Sequence, residues 1–144
     1  MTATLFPNRH TLELLLLFAG VVHLCITSAG LVMTYVLDWR HNLAALNPLT
    51  RHIVWVHGAF VLLMICGFAA VSLLCAGDLA SGAPLARAVC AFIALFWGVR
   101  LLIQFFLFDA RPHLTSPALK LGYHGLTAVF VYFTLVYGFA AVTG

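Results

Sequence analysis

Hydrophobic positions dominate this chain in four long runs, and polar positions are concentrated in the short segments between them. The runs cover about residues 12–37, 48–75, 84–108 and 117–142. Each run exceeds the roughly 20 apolar residues that a transmembrane helix needs. The pattern predicts an all-α integral membrane protein, in which residues 1–144 form a single domain built as a bundle of four transmembrane helices.

Composition excludes several classes of protein. Hydrophobic residues make up 64% of the chain and charged residues 8%, which leaves too little polar surface to cover a soluble globule. The net charge of +3 comes from scattered basic residues, so nucleic acid is excluded as a partner. No phosphate loop, nucleophile elbow or zinc-protease motif is present, and the sequence does not decide whether the protein is an enzyme. The four cysteines lack metal-site spacing and are interpreted as packing residues.

Helix ends and loop charges predict the topology. Asn47-Pro48 and Ser116-Pro117 each combine an N-cap residue with proline at the first helical position. Asp38 and Asp109 follow the first and third runs and are predicted to close those helices. The loops after runs one and three hold most of the basic residues: Arg40, Arg51, Arg111 and Lys120. The positive-inside rule therefore places these loops inside and both termini outside, in a membrane that we take to be a bacterial inner membrane.

Two segments of the chain resemble each other. Residues 36–71 contain VLDWR, NP, HGAF and GFAAV, and residues 107–142 contain LFDAR, SP, HGLT and GFAAV in the same order. Two parallel helix hairpins, related by an axis along the membrane normal, would explain the likeness. The interval from His57 to Gly67 is ten residues, whereas that from His124 to Gly138 is fourteen. Duplication and chance likeness therefore both remain open.

Ionisable residues are predicted deep in the membrane on three different helices. At 1.5 Å per residue, His57 lies roughly 14 Å and His124 roughly 10 Å beyond the predicted inner helix starts. Arg100 reaches about 14 Å into the same layer, with Gln104 one turn away on the same face. Such residues are expensive in a bilayer and normally face a partner or a ligand.

Two imidazoles at one depth are the axial ligands that a low-spin haem requires. The sequence therefore predicts His57 and His124 as metal ligands of a b-type haem held between the second and fourth helices. Trp97, Arg100 and Gln104 would contact a haem propionate or a quinone. In general plan this arrangement resembles the small cytochrome b membrane anchors. The protein would then be a small redox subunit that exchanges electrons with quinone or a partner protein.

Other interpretations of the same residues stay open. His57 and His124 are equally compatible with hydrogen bonds between helices. His23 lies at a different depth and is interpreted as a satisfied interior histidine. Trp39 and Trp55 fit an aromatic belt near the inner interface. The second functional hypothesis is a non-catalytic accessory subunit of a larger membrane complex or a homo-oligomer, or a protein that binds lipid or quinone without haem.

Overall fold

The described residues are helical and contain no strand. The structure is a computed structural model that describes residues 8–106 and 117–143. In chain order the helices are α1 (Arg9–Val36), α2 (Trp39–Ala44), α3 (Pro48–Leu74), α4 (Ala76–Leu79), α5 (Pro84–Phe106) and α6 (Pro117–Thr143). The four long helices correspond to the four hydrophobic runs, so the predicted all-α, four-helix membrane fold is confirmed.

Length and hydropathy make the chain an integral membrane protein. The most apolar window of each long helix has a mean hydropathy between 1.9 and 2.2, and each helix is long enough to cross a membrane. The location in a bacterial inner membrane and the outer position of both termini stay predictions.

Asn47 and Pro48 start α3 as their sequence predicts. The Asn47 side-chain oxygen accepts a hydrogen bond of 2.9 Å from the backbone N–H of Leu49. Pro48 takes the first helical position, where a backbone N–H would have no helical partner. The predicted N-cap is therefore confirmed. Helix α6 begins at Pro117, while Ser116 and Asp109 lie outside the described residues.

Asp38 separates α1 from the short helix α2. Its φ of 43° lies in the left-handed region, which aspartate adopts more readily than most residues. The Asn42 side-chain amide donates a 2.7 Å hydrogen bond back to the Leu37 carbonyl and ties α2 to the end of α1. Helix α2 has only six residues, which is too short to show the 3.6-residue repeat of apolar positions. The sequence therefore does not predict it.

The chain divides into two compact units. One unit combines residues 1–16 with residues 75–144, and the other comprises residues 17–74. We call them the α5–α6 unit and the α1–α3 unit, after the long helices that contribute most of each. The single domain and the parallel repeat stay predictions.

An aromatic core holds the α5–α6 unit together. Trp97 of α5 has its ring centroid 4.9 Å from the rings of both Phe130 and Phe133 of α6. Tyr137 lies one turn further along α6 and is completely buried. The Tyr132 hydroxyl donates a 2.7 Å hydrogen bond to the Leu15 carbonyl, which fastens the first turns of α1 to α6. Packing and hydrogen bonds of this kind drive helix association in lipid, where apolar burial alone contributes little.

A close approach of two helices marks the α1–α3 unit. A Cβ atom added to Gly20 of α1 would lie 2.7 Å from Cγ of Leu73 and 3.2 Å from Cβ of Ser72, both on α3. Because glycine has no Cβ atom, it permits the two helices to approach this closely. Further along the same pair, Leu62 of α3 lies within 3.5 Å of a Cβ added to Gly30.

Candidate functional site

The buried polar residues among the described ones are His23, Ser72 and Gln104, and each is hydrogen-bonded. His23 is fully buried in the α1–α3 unit, where its Nδ1–H donates to the Ala19 carbonyl at 2.7 Å and its ring meets Phe68 edge-on at 5.9 Å. The Ser72 hydroxyl donates to the Phe68 carbonyl at 2.7 Å. The prediction of a satisfied interior histidine at position 23 is confirmed.

Trp97 and Gln104 lie inside the α5–α6 unit. Trp97 is 2% exposed within the aromatic core, and Gln104 is 4% exposed. The Gln104 amide donates to the Thr127 hydroxyl, which in turn donates to the Tyr123 carbonyl at 2.8 Å. Both side chains thus join α5 to α6, and their contact with a cofactor stays a prediction. Nothing in the sequence singled out Thr127, because its pairing with Gln104 depends on how the two helices are aligned.

Arg100 lies on the surface of the α5–α6 unit, with its guanidinium carbon 5.3 Å from the centre of the Phe130 ring. This cation–π contact satisfies part of the positive charge. Within the described residues, no carboxylate forms an ion pair with Arg100. The guanidinium remains open to an anionic group from outside the described residues.

The common depth predicted for Arg100 and His124 stays a prediction. It takes Asp109 and Ser116 as marks of one depth, and both residues lie outside the described part of the chain. Trp97 lies twelve residues before Asp109 and Phe130 lies fourteen after Ser116, so the contact between the two rings agrees closely with that assumption. On α6, His124 precedes Phe130, the ring that the Arg100 guanidinium contacts, by six residues, or about 9 Å.

The imidazoles of His57 and His124 are exposed. Among the described residues neither ring has a hydrogen-bond partner, and His124 meets only the edge of the neighbouring Tyr123 ring, at 5.5 Å. The hydrogen bonds between helices that the sequence allowed for these histidines are therefore not formed among the residues described. Both imidazoles are available to a group other than the described residues.

The histidines have the chemistry of haem ligands, and both are exposed. A neutral imidazole with an unengaged nitrogen is a common axial ligand of haem iron. Gly125, next to His124, has nothing within 4 Å of an added Cβ, and the nearest atom at Gly58, next to His57, is a Trp39 ring carbon at 3.8 Å. The space at Gly125 is thus open among the described residues, whereas the Trp39 ring borders the space at Gly58. His57 belongs to the α1–α3 unit and His124 to the α5–α6 unit, and their use by one haem stays a prediction.

Larger metal-binding groups are not found in the part of the chain that the structure describes. No group of three or more histidine, cysteine, aspartate or glutamate side chains comes close enough there to hold a metal ion. A bis-histidine haem needs only two such ligands, so this finding bears on zinc-type sites and not on the predicted haem.

Comparison of the chain with protein-family models, with curated proteins and with solved structures finds no match. Its function is therefore argued from its own residues.

Proposed function

We propose that this protein is a small membrane-embedded redox subunit that binds one b-type haem through His57 and His124. The observation that carries the proposal is the contrast between three histidines. His23 is buried and hydrogen-bonded, whereas His57 and His124 are exposed and lack hydrogen bonds to other described residues. An imidazole without a hydrogen-bond partner in a membrane helix raises the free energy of insertion unless it binds a ligand or a partner protein.

The roles of the remaining site residues follow from their positions. Arg100 is an exposed cation of α5 and would bind an anionic group such as a haem propionate. Trp97 and Gln104 are buried and would position α5 against α6 behind it. The haem, when bound, supplies one-electron redox chemistry. Quinone or a partner protein would exchange the electron.

Visible absorption of the detergent-solubilised protein tests the proposal. We expect a reduced b-type band on addition of dithionite, a stoichiometry of one haem per chain, and reduction of the same band by a quinol. His57→Ala and His124→Ala should each abolish the band. His52→Ala is the matched control, because His52 is exposed on the same helix as His57 but lies near its start, and this variant should keep the band.

A second function is favoured by the exposure of Arg100 together with the two histidines. Three ionisable side chains on the surface of membrane helices would be covered equally well by a larger membrane complex, by a second copy of the chain, or by a bound lipid or quinone. A colourless preparation from haem-sufficient cells would contradict the haem proposal and support this accessory role. Native electrophoresis in mild detergent should then show a species larger than the 15.7 kDa chain with its detergent.

A further inference from the structure

A cleft in the α1–α3 unit places two arginines beside a tryptophan. The cleft has a volume of about 400 Å³ and is lined by Arg40 of α2 and by Arg51 and Trp55 of α3. Arg40 is exposed and Arg51 is half-buried, so both guanidinium groups remain accessible. The positive-inside rule accounts for basic residues in this part of the chain, but it does not require them to share a cleft.

Packing of α2 against α3 forms this cleft. The Trp39 ring at the start of α2 meets the Trp55 ring edge-on, with centroids 6.1 Å apart. The same Trp39 ring lies 3.8 Å from a Cβ added to Gly58, one turn further along α3. The left-handed backbone of Asp38 directs the chain from α1 into α2 immediately before Trp39. Arg40, the next residue, is thereby held close to the first turn of α3, where Arg51 lies.

The charge of the cleft is not compensated within the described residues. Asp38 is the nearest carboxylate in the sequence, and it forms no ion pair with Arg40 or Arg51. Two guanidinium groups therefore face one opening without an anionic partner from the described chain. Guanidinium binds phosphate oxygens through two parallel hydrogen bonds, which makes paired arginines a strong phosphate-binding arrangement.

We propose that this cleft binds the phosphodiester headgroup of an anionic phospholipid. Tryptophan favours the headgroup level of a membrane, and Trp39 and Trp55 lie where α2 and α3 meet at the end of the hydrophobic run. Val36, the last residue of α1, and Leu37, which follows it, are 67% and 52% exposed and would provide an apolar surface for the acyl chains. The proposal does not depend on haem binding by His57 and His124.

Tryptophan quenching by brominated lipids tests the proposal on the full chain. The protein is reconstituted into vesicles that contain phosphatidylglycerol and phosphatidylcholine, with bromine on one lipid or on the other. The ratio of the two quenching curves gives the relative association constant at sites near Trp39 and Trp55. We expect the wild type to favour phosphatidylglycerol at least about fivefold, the usual contribution of one basic residue near an anionic surface.

Substitutions distinguish recognition in the cleft from general charge attraction. Arg40→Gln and Arg51→Gln should each lower the preference about fivefold or abolish it. Lys120→Gln is the matched control, because Lys120 is the fourth residue of α6 as Arg51 is the fourth of α3, and it should keep the wild-type ratio. Should loss of charge prevent correct insertion, the double Arg→Lys variant keeps the charge and should still bind less selectively, since lysine lacks the two-pronged donor geometry.

Three results would overturn the proposal. The first is a wild-type ratio of association constants, phosphatidylglycerol to phosphatidylcholine, that is near one. The second is a preference that falls in Lys120→Gln as far as in Arg51→Gln, which would indicate general attraction to the membrane surface. The third is loss of the preference when inorganic phosphate replaces chloride at constant ionic strength, which would identify a site for free phosphate instead of a lipid.

Discussion

The two halves of α3 differ in how they are packed, and the two halves of α6 differ in the same way. In α3 the buried residues all lie in the carboxy-terminal half: Ile65, Phe68, Ala69 and Ser72. In α6 the buried residues begin at Phe130 and continue to Ala140. The amino-terminal halves, which carry His57 and His124, contain no buried residue among the side chains described.

The hydrogen bonding of the polar residues changes with the packing. His23 and Ser72, near the packed half of α3, form hydrogen bonds with carbonyl groups of their own helices. The open halves carry imidazoles without such partners. The packed halves hold their helices in contact with neighbouring helices. The ligand and partner roles that we propose fall on the open halves, where lipid cannot solvate the polar groups.

The largest expected effect comes from removing a core ring in the packed region. Trp97→Ala should lower the free energy of unfolding by about 3 kcal/mol or more, since it leaves a large cavity between Phe130 and Phe133. Trp55→Ala, at a site that is 39% exposed, should cost only about 0.5 kcal/mol. Unfolding in mixed micelles with increasing dodecyl sulfate measures both. Equal losses would break the distinction between packed and open regions.

An intermediate effect is expected where α1 and α3 approach most closely. Gly20→Ala places a methyl group 2.7 Å from Leu73 Cγ and should destabilise the protein by about 1–3 kcal/mol through overpacking. Gly67→Ala, on α3 with nothing within 4 Å of the new methyl group, should be neutral or stabilise by up to about 1 kcal/mol. The same unfolding assay compares the two. A neutral Gly20→Ala would show that this helix contact is looser than the structure indicates.

The smallest effect is expected from the hydrogen bond between α5 and α6. Gln104→Leu and Thr127→Val should show a coupling of about 0.6 kcal/mol in a double-mutant cycle, the average for such bonds in membrane helices. If Gln104 acts only between the helices, Gln104→Leu should leave the wavelength of the reduced haem band unchanged. A shifted band, without coupling between the Gln104 and Thr127 substitutions, would instead indicate that Gln104 contacts the cofactor.

Local sequence signals predicted individual helix features well. The Asn47-Pro48 cap is a property of adjacent residues, and the structure reproduces it. His23 was recognisable as an interior residue because it continues a small and polar stripe at helical spacing. The alignment of α5 with α6 cannot be read from local signals, because it depends on contacts such as that between Trp97 and Phe130, which are 33 positions apart in the sequence.

The sequence by itself determined the membrane environment, the number of spanning helices and the start of α3, since hydropathy and capping act over a few turns of one helix. Tertiary structure decided which polar residues are buried and which remain open. It enclosed Gln104 between two helices, left His57 and His124 exposed, and brought Arg40 and Arg51 to one cleft through a turn at Asp38. The physical reason is rotational: a helix of apolar residues has no strong preferred face in lipid, and only contacts with its neighbours select one.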